Sequence, residues 1–375
     1  MKINIHKIGT NFTGEYCYTH ARGTALPSGK LFVTTQPLLL SGVDVFYGIE
    51  QCVVDGMDFT ASPITPCMKL IRKPYGEDKV IAICDCTPLY HKQTGKILLL
   101  GRSVIYTKDN RCAHGCPRHV VYAVYDEKKG DFEDFQLLDL GDNDYYSAGN
   151  GSGQSFVEEN GDILIPFDFQ SRNEIYTRKW NISSCVMRCR FDGETLTVLE
   201  IGSPLTVEKP RGLYEPSVIK HNGEYFLCLR NDEDGYIAKS VNGLHFGDVQ
   251  PLCFDNGESI GNYCTQQHFI SGGGKLWLVY TRRGAGNDHI FRHRAPLFIA
   301  EIDTASLRVI RSSEKIVVPN RGARLGNFGC CSFNDSRAIV ITSEWMQYSG
   351  GDTEAWKKCM EYGSDNSIFF SEILF

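Results

Sequence analysis

The sequence has no apolar run that approaches the roughly 20 residues needed to cross a bilayer, and it has few helical patterns. Its first 16 residues also lack the apolar core of a secretory leader. We therefore expect neither a membrane segment nor a signal peptide. The best helical candidate is short, from Asp352 to Glu361.

An excess of positive charge is also missing. The chain has 39 Lys and Arg residues against 45 Asp and Glu residues, which gives a net charge of -6. General nucleic-acid binders usually carry a basic excess, so we expect no nucleic-acid partner. The glycine-rich segment Gly149 to Gly153 is not followed by a helix pattern, so it does not indicate a phosphate-binding loop. A local cationic pocket for an acidic ligand remains compatible with this composition.

The 15 cysteines do not form the paired spacings of a disulfide framework. Their number is odd, and several lie inside apolar runs: Cys84, Cys185, Cys189 and Cys228. This distribution favours buried thiols in a reducing compartment, so we expect a cytoplasmic protein.

One short segment combines residues that can bind zinc. It holds Cys112, His114, Cys116 and His119. A second matching pair is missing, and four ligands within eight residues rarely complete one tetrahedron. We expect no required cofactor and assign no metal ligands, while a structural zinc or calcium ion stays possible.

What the sequence does have is a recurring hairpin with a turn residue between apolar strands. The turns lie at Gly29, Gly95, Gly161, Gly223, Gly273 and Asp335. They recur roughly every 60 residues, and one four-stranded propeller blade needs about 40–50 residues plus loops. We predict an all-β fold, a single β-propeller over residues 1–375 with six four-stranded antiparallel blades. The N-terminal strand, Ile3 to Ile8, should pair with the C-terminal strand and close the ring.

Polar residues recur at equivalent places in these repeats. After the turns they are Gln36, Arg102, Asp168, Arg230, the pair Arg282 and Arg283, and the pair Ser343 and Glu344. Before the turns they are His20, Arg22, Asp85, His91, Gln154, Tyr214, Glu215, Gln267, His268 and Asn327. Equivalent positions of successive blades lie around one ring, so we predict a polar funnel that binds a ligand.

The fifth repeat carries the densest cluster, within the stretch from Asn262 to Phe298. Three histidines and four arginines lie between residues 268 and 294, including His289, His293 and Arg294. A fold does not require so many cations at the end of a strand. Arginine forks suit carboxylates, so the cluster predicts a site for an anionic ligand.

The repeats resemble the sialidase (neuraminidase) superfamily, through degenerate Asp boxes such as SVNGLHF at Ser240–Phe246. That resemblance implies a six-bladed propeller with an arginine triad on a sugar carboxylate, matched here by Arg22, Arg230 and Arg283. Glu215 would match the glutamate that assists a nucleophilic tyrosine, for which Tyr348 is the candidate. The family's Arg-Ile-Pro motif is absent, since Arg22 is followed by Gly-Thr-Ala-Leu-Pro.

A closer resemblance is to sialidase-like propellers that act on uronic-acid glycans. HARGTALPSGK, LLLSGVDVFYG and YTRRGAGNDHIFRHRAPLFIAEID carry it, and they are similar to the rhamnose–glucuronate lyases, ulvan-lyase-like propellers and related rhamnosidases. Several of those are seven-bladed, which makes seven blades the alternative. This resemblance favours β-elimination in a uronate-containing oligosaccharide. The alternatives are a sialidase-type hydrolase and a non-catalytic glycan-binding propeller.

The candidate residues divide by role. Arg22, Arg230 and Arg283 would bind the carboxylate. His20, His91, Tyr214 and His268 compete for proton transfer, and Glu215, Asp168, Asp85 and Glu344 are the carboxylates for hydrolysis. Gln154, Gln267, His289, His293 and Arg294 would contact the sugar. The partner is then an acidic oligosaccharide, and the oligomeric state is left open.

Overall fold

Six antiparallel sheets follow one another along the chain, each built around one of the turn hairpins. The structure is a computed structural model that describes residues 1–42, 44–141, 143–177, 181–347 and 354–375. The six sheets form the blades of one β-propeller, which confirms the predicted all-β fold and the count of six blades rather than seven.

The first three blades use residues 16–212. Blade 1 contains β2 (Tyr16–Ala25), β3 (Leu31–Leu39), β4 (Glu50–Val54) and β5 (Thr65–Pro66), after the N-terminal strand β1 (Lys2–Ile8). Blade 2 contains β6 (Lys73–Tyr75), β7 (Lys79–His91), β8 (Lys96–Thr107), β9 (Val120–Asp126), β10 (Asp131–Phe132) and β11 (Gln136–Leu137). Blade 3 contains β12 (Ser147–Gly149), β13 (Phe156–Val157), β14 (Ile163–Gln170), β15 (Asn181–Phe191), β16 (Leu196–Ile201) and β17 (Arg211–Gly212).

The other three blades complete the ring. Blade 4 contains β18 (Tyr214–His221), β19 (Glu224–Arg230), β20 (Gly235–Ser240) and β21 (Gln250–Pro251). Blade 5 contains β22 (His268–Gly272), β23 (Lys275–Tyr280), β24 (Leu297–Asp303), β25 (Arg308–Val309) and β26 (Lys315–Val318). Blade 6 contains β27 (Gly329–Asn334), β28 (Arg337–Ser343) and β29 (Ile368–Leu374).

The N-terminal strand closes the ring as the sequence predicts. Strand β1 pairs antiparallel with β29, from Lys2 opposite Leu374 to Ile8 opposite Ile368. It therefore supplies the outer strand of blade 6. Joining the two ends of the chain in one sheet stabilises the ring against opening between its last and first blades.

Apolar clusters fill the spaces between neighbouring blades. Between blades 6 and 1, Ile339, Ile341 and Phe370 pack with Leu31 and Val33, and all five are fully buried. Each such side chain contributes roughly 1.5–3 kcal/mol by leaving water. Alternation along each strand places one set of side chains on each face, so every blade packs against both of its neighbours.

Among the residues that the structure describes, helices are confined to short connections. They are α1 (Arg172–Thr177), α2 (Ala355–Glu361) and two 3-10 turns at Phe291–His293 and Arg311–Ser313. Helix α2 lies within the stretch for which the sequence predicts a helix, whereas Asp352 and Thr353 lie outside the described residues. None of the helices in the described ranges has the length and apolar character that a membrane crossing requires.

Candidate active site at the channel mouth

At one end of the central channel, the innermost strands are interrupted by bulges. In blade 1 the pairing with β3 jumps from Thr19 to Arg22, and in blade 4 the pairing with β19 jumps from Tyr214 to Ser217. The corresponding residue of the innermost segment has a left-handed backbone in five blades: His20 (φ 52°), Asp85 (φ 57°), Ser152 (φ 60°), Glu215 (φ 47°) and Cys264 (φ 50°). We call these five the bulge ring, and this end of the channel the mouth. Such strained positions concentrate at functional sites.

A second set of polar residues lies directly beside the bulges. Gln36, Arg102, Asp168 and Arg230 pair across their hairpins with Thr19, Cys84, Gly149 and Tyr214, which precede the interruptions. These are the residues that recur after the turns in the sequence. The structure therefore places all four at equivalent positions around the mouth.

Ion pairs connect these two sets on one side of the mouth. Arg102 Nη2 lies 2.6 Å from Asp168 Oδ2, and the same carboxyl oxygen accepts the backbone N–H of Glu215 at 3.1 Å. Arg230 Nη1 then donates to Glu215 Oε2 at 2.5 Å. Burial alone would raise the pKa of Glu215, but Arg230 holds it below the ordinary value. Glu215 is therefore a carboxylate at neutral pH.

The glycine-rich segment makes room for one of these arginines. A Cβ atom added to Gly149 would lie 2.7 Å from Arg102 Cβ, and one added to Gly151 would lie 2.8 Å from Arg102 Cγ and Cδ. The segment thus passes along the Arg102 side chain and presents no surface to a phosphate. Gly149 and Gly151 leave the space that this close approach needs.

Cys264 occupies the blade 5 position of the bulge ring. Arg230 Nη2 donates to its sulfur at 3.0 Å, and the thiol donates to Asp232 Oδ1 at 3.1 Å. Burial would raise the pKa of the thiol, but Arg230, Arg294 and Arg292 together lower it below the ordinary value. The sulfur therefore lies between the Arg230 guanidinium and the Asp232 carboxylate, and the net effect of the three arginines favours the thiolate.

Tyr214 lies against the same group of residues. Its hydroxyl donates to Asp232, and its ring lies beneath the guanidinium groups of Arg230 and Arg211 at 4.7 and 4.5 Å. Burial is the main cause that raises the pKa of this phenol far above its ordinary value. Tyr214 is therefore a neutral hydrogen-bond donor whose partner is already in place.

His20 of blade 1 and Asp85 of blade 2 also form a pair at the mouth. His20 Nε2 lies 3.1 Å from Asp85 Oδ1, and Asn327 Nδ2 lies 2.6 Å from the same ring nitrogen. Burial lowers the pKa of His20 to about 4, so the ring is neutral at pH 7. Burial would raise the pKa of Asp85, but His20, Arg102 and Arg22 lower it to about 2. The Asp85 side chain is 19% exposed and faces solvent more than His20 does.

Arg294 links Cys264 to Asn327, the residue that contacts His20. Its Nη2 donates to the backbone carbonyl of Cys264 at 2.6 Å and its Nη1 donates to Asn327 Oδ1 at 3.0 Å. A Cβ atom on Gly326 would lie 2.8 Å from Arg294 Cδ, so this glycine admits the side chain. Burial lowers the pKa of Arg294 to about 10. In the described ranges no carboxylate lies within 4.0 Å of it.

Arg22, for which the resemblance implied carboxylate binding, lies inside the channel instead. It is fully buried, and Nη1 donates to Asp85 O at 2.6 Å while Nε donates to Phe328 O at 3.2 Å. Its Nη2 donates to Ser152 Oγ and Gln266 Oε1 at 3.0 and 3.3 Å. All three nitrogens of the guanidinium therefore already donate to groups on four other blades, which is the arrangement of a structural arginine.

Three other candidates lie in or beside this buried layer of the channel, and their side chains bond to neighbouring blades or to the local backbone. His268 Nδ1 lies 2.8 Å from Ser217 Oγ and Nε2 lies 3.1 Å from Phe328 O, and burial lowers the pKa of this ring to about 3. The Gln154 amide exchanges two hydrogen bonds with the backbone of Phe269, at 2.9 and 2.8 Å. Gln267 donates to Thr265 O. These contacts pair polar groups where the inner strands converge.

His91 and Glu344 lie away from the mouth contacts. His91 is at the turn end of β7, where its ring nitrogens lie 2.9 Å from Thr94 Oγ1 and 2.8 Å from Gly161 O. Glu344 accepts the backbone N–H groups of Asp365 and Ser367, and burial raises its pKa to about 7. Both side chains are used in contacts within the fold.

The remaining candidates form the rim or fall outside the described ranges. Arg283 is exposed, with its guanidinium 4.3 Å from the Tyr263 ring centre. His293 approaches the same ring at 6.3 Å, whereas the His289 ring lies 4.6 Å from that of Tyr362. Tyr348, the candidate nucleophile, lies outside the described residues.

The Cys and His segment of blade 2 has no metal-binding arrangement. Across the described ranges, no group of three or more His, Cys, Asp and Glu side chains is placed to hold a metal ion, and all 15 cysteines are free thiols. The Asp-box-like segment is a hydrogen-bonded turn, in which Ser240 Oγ donates to His245 O at 2.6 Å.

Sequence reasoning missed Ser152, Cys264, Asp232 and Arg324. The first two could have been found, because each precedes its turn glycine by nearly the same distance as His20 and Asp85 do. Asp232 closely follows Arg230, and Arg324 has no counterpart in the other repeats, so neither had a repeat signal.

Solved structures with a similar fold include one of unknown function. That protein, from Dyadobacter fermentans DSM 18053, has a TM-score of 0.66 at 14% identity over 99% of both chains. The sequence matches no protein-family model and no curated protein sequence.

Two further neighbours are sialidases. The Hadza microbial sialidase Hz136 has a TM-score of 0.65 at 12% identity, covering 96% of this chain and 66% of that one. Trypanosoma rangeli sialidase in complex with sialic acid has a TM-score of 0.64 at 12% identity, covering 98% and 57%. The chain thus spans less than two thirds of the sialidase chains. At these identities the likeness concerns the fold alone: the chain has a sialidase-like six-bladed β-propeller fold.

Proposed function

We propose that the mouth binds the carboxylate of an acidic sugar and that the protein hydrolyses the glycosidic bond of that sugar. The observation that carries this proposal is the pair of arginines around Cys264. Arg230 donates to its sulfur and Arg294 donates to its carbonyl oxygen, and the Nε atom of each arginine has no partner within the described ranges.

The present partners of these arginines are exchangeable for a ligand. A cysteine sulfur is a weak acceptor and a backbone carbonyl is neutral, whereas a carboxylate accepts charge-assisted bonds from a guanidinium fork. Arg294 is 4% exposed, and a buried cation without a counter-charge is unfavourable. A carboxylate bound between Arg230 and Arg294 would supply that charge. We call this site between Arg230 and Arg294 the carboxylate seat. Arg22 and Arg283 do not belong to it.

Asp85 and Glu215 are the two carboxylates that flank the seat. Hydrolysis of a glycoside uses two carboxyl groups, one as the acid and the other as the base or nucleophile. Asp85 is ionised and oriented by His20, so it serves as the base toward water. When the sugar carboxylate binds to Arg230, Glu215 loses part of the attraction of that cation, so the pKa of Glu215 rises. Glu215 can then carry the proton that the leaving oxygen needs.

Elimination, which the sequence favoured for a uronate-containing substrate, is the second candidate. The geometry supports it less, because His268 is sealed in the channel, His91 is at a turn and the Tyr214 phenol donates to Asp232. His20 is a neutral imidazole at the mouth and could take the proton in an elimination. This observation keeps elimination among the reactions to be tested. A glycan-binding protein without activity is the third outcome.

The proposal is tested with a panel of sialosides and glucuronides, by product analysis and calorimetry. We expect saturated reducing sugars, loss of turnover in Asp85→Asn and loss of binding in Arg294→Gln. An unsaturated uronate product, recognised by its ultraviolet absorbance, would show that the reaction is elimination and not hydrolysis. Binding without any product would leave the binding role alone, and normal binding by Arg294→Gln would refute the seat.

A further inference from the structure

A second buried arginine, Arg324, lies next to Arg294 at the mouth. It is 7% exposed and its guanidinium lies 4.1 Å from the Trp345 ring centre and 5.3 Å from that of Phe291. In the described part of the chain the guanidinium has one hydrogen-bond partner, Gln347, whose Oε1 accepts from Nη2 at 3.2 Å, and Nε has none. The guanidinium thus lies against two aromatic rings and donates to a neutral amide.

Arg294 and Arg324 act on each other as like charges. The backbones of the two segments are joined by the Leu325 N–H, which donates to Arg294 O at 2.6 Å. Burial and then the charge of Arg294 lower the pKa of Arg324 to about 9. Asp44 attracts Arg324 only from beyond ion-pair distance, and no carboxylate in the described ranges lies within 4.0 Å of either arginine. The pair therefore carries two buried positive charges without a counter-charge there.

Such an arrangement is unfavourable unless an anion completes it, because an uncompensated buried charge is among the costliest groups in a fold. Both Nε atoms are buried donors without a partner in the described ranges, which is uncommon in native proteins. Phe291, one of the two rings around Arg324, is 36% exposed, so the guanidinium lies close beneath the surface.

We propose that Arg294 and Arg324 form a second anion subsite beside the carboxylate seat, for a sulfate ester or carboxylate on the sugar next to the one whose bond is cleaved. The substrate is then a glycan with two acidic groups. This inference rests on the proposed function for the identity of the first sugar. Arg294 would face both groups. Arg324 would act on the second group alone, because in the described ranges it has no hydrogen bond or ion pair with Cys264 or Glu215.

Three disaccharides test the subsite by calorimetry: one with a single uronate, one with two uronates and one with a uronate and a sulfate ester. We expect the wild type to bind at least one dianionic ligand about tenfold more tightly than the monoanionic ligand, as a charge-assisted hydrogen bond contributes on that scale. Arg324→Gln should lose that preference and keep the affinity for the monoanion. The ligand that shows the preference identifies sulfate or carboxylate as the second group.

Arg311→Gln is the matched control, since Arg311 also stacks on an aromatic ring, at 4.3 Å from Phe254, but lies away from the mouth on the outer part of blade 5. Arg324→Lys retains the charge without the fork and should keep part of the preference, which provides a result if Arg324→Gln does not fold. Equal affinities of the wild type for all three ligands, or an equal loss for all three in Arg324→Gln, would overturn the subsite. Binding without cleavage in the wild type would refute hydrolysis and leave the subsite standing.

Discussion

Arg230 and Glu215 form a 2.5 Å ion pair between the two strands of one hairpin, with side chains that are 8% and 15% exposed. Glu215 belongs to the bulge ring, and Arg230 lies beside the bulge opposite Tyr214. One hairpin thus supplies both a carboxyl group and the cation that keeps it ionised. A ligand that takes the cation changes the protonation of the carboxyl group, which couples binding to proton transfer.

The first prediction concerns this coupling. Glu215→Gln should lower kcat by about a hundredfold or more with a smaller change in KM, because the amide keeps a neutral contact with Arg230 but cannot transfer a proton. The measurement is steady-state turnover of whichever acidic glycoside the panel identifies. Glu258→Gln, at an exposed ion pair with Arg311, is the control and should retain activity. Normal kcat in Glu215→Gln would remove this residue from the mechanism.

The contrast between His20 and Arg22 explains why the fold was easier to predict than the site. Turn residues and alternation are local signals, so the six hairpins and the closing strand were readable from the sequence. A bulge is not a local signal, yet it decides which side chains reach the mouth. His20 lies at the bulge and contacts Asp85, whereas Arg22, two residues later, lies within the channel.

The same distance of two residues along the chain separates Glu215 from Ser217 and Cys264 from Gln266. Ser217 and Gln266 both contact His268 in the buried layer, while Glu215 and Cys264 contact Arg230 at the mouth. Of the three arginines that the resemblance implied for a triad, Arg22 lies within the channel and Arg283 lies on the exposed rim, because strand-end position alone does not give side-chain direction. Arg294 was predicted as a sugar contact, and its partnership with Cys264 had no sequence signal.

The second prediction is a loss of stability in mild acid. The pKa values of His20 and His268 are lowered by burial from 6.5 to about 4 and about 3. The unfolded chain therefore takes up protons that the native state does not, as the pH falls below about 6.5. The stabilisation is fully present above that pH and is lost down to about pH 4 and pH 3, at about 1.4 kcal/mol per pH unit for each histidine.

Urea unfolding between pH 7 and pH 4 measures this slope. His268→Gln should be less stable at pH 7, because it loses the contacts with Ser217 and Phe328, and its slope should be shallower by about one proton. His245→Gln, at an exposed turn, should keep the wild-type slope. A stability that does not change from pH 7 to pH 5 would contradict the burial of these rings.

The third prediction distinguishes a structural role of Arg22 from carboxylate binding. Arg22→Met leaves four buried acceptors without their donor: the backbone carbonyls of Asp85 and Phe328 and the side chains of Ser152 and Gln266. It should therefore lower the free energy of unfolding by about 3–5 kcal/mol. Arg283→Met, on the exposed rim, should change it by no more than about 0.5 kcal/mol. Thermal unfolding measures both. A stable Arg22→Met variant with lost substrate binding would restore the triad role.

The last prediction tests whether the glycine-rich segment exists for Arg102. A methyl group at residue 151 would lie 2.8 Å from Arg102 Cγ and Cδ, so Gly151→Ala should displace the guanidinium from Asp168 and destabilise the fold by about 1–3 kcal/mol. In an Arg102→Ala background those atoms are gone, and the same substitution should be tolerated. The coupling energy from this double-mutant cycle should reach about 0.5–3 kcal/mol, measured by urea unfolding.

Gly9→Ala is the control, because no atom lies within 4 Å of its added Cβ. If Gly151→Ala is equally harmful in both backgrounds, the glycine serves the backbone of the segment, and the support of Arg102 must come from Gly149, where the added Cβ meets Arg102 Cβ at 2.7 Å.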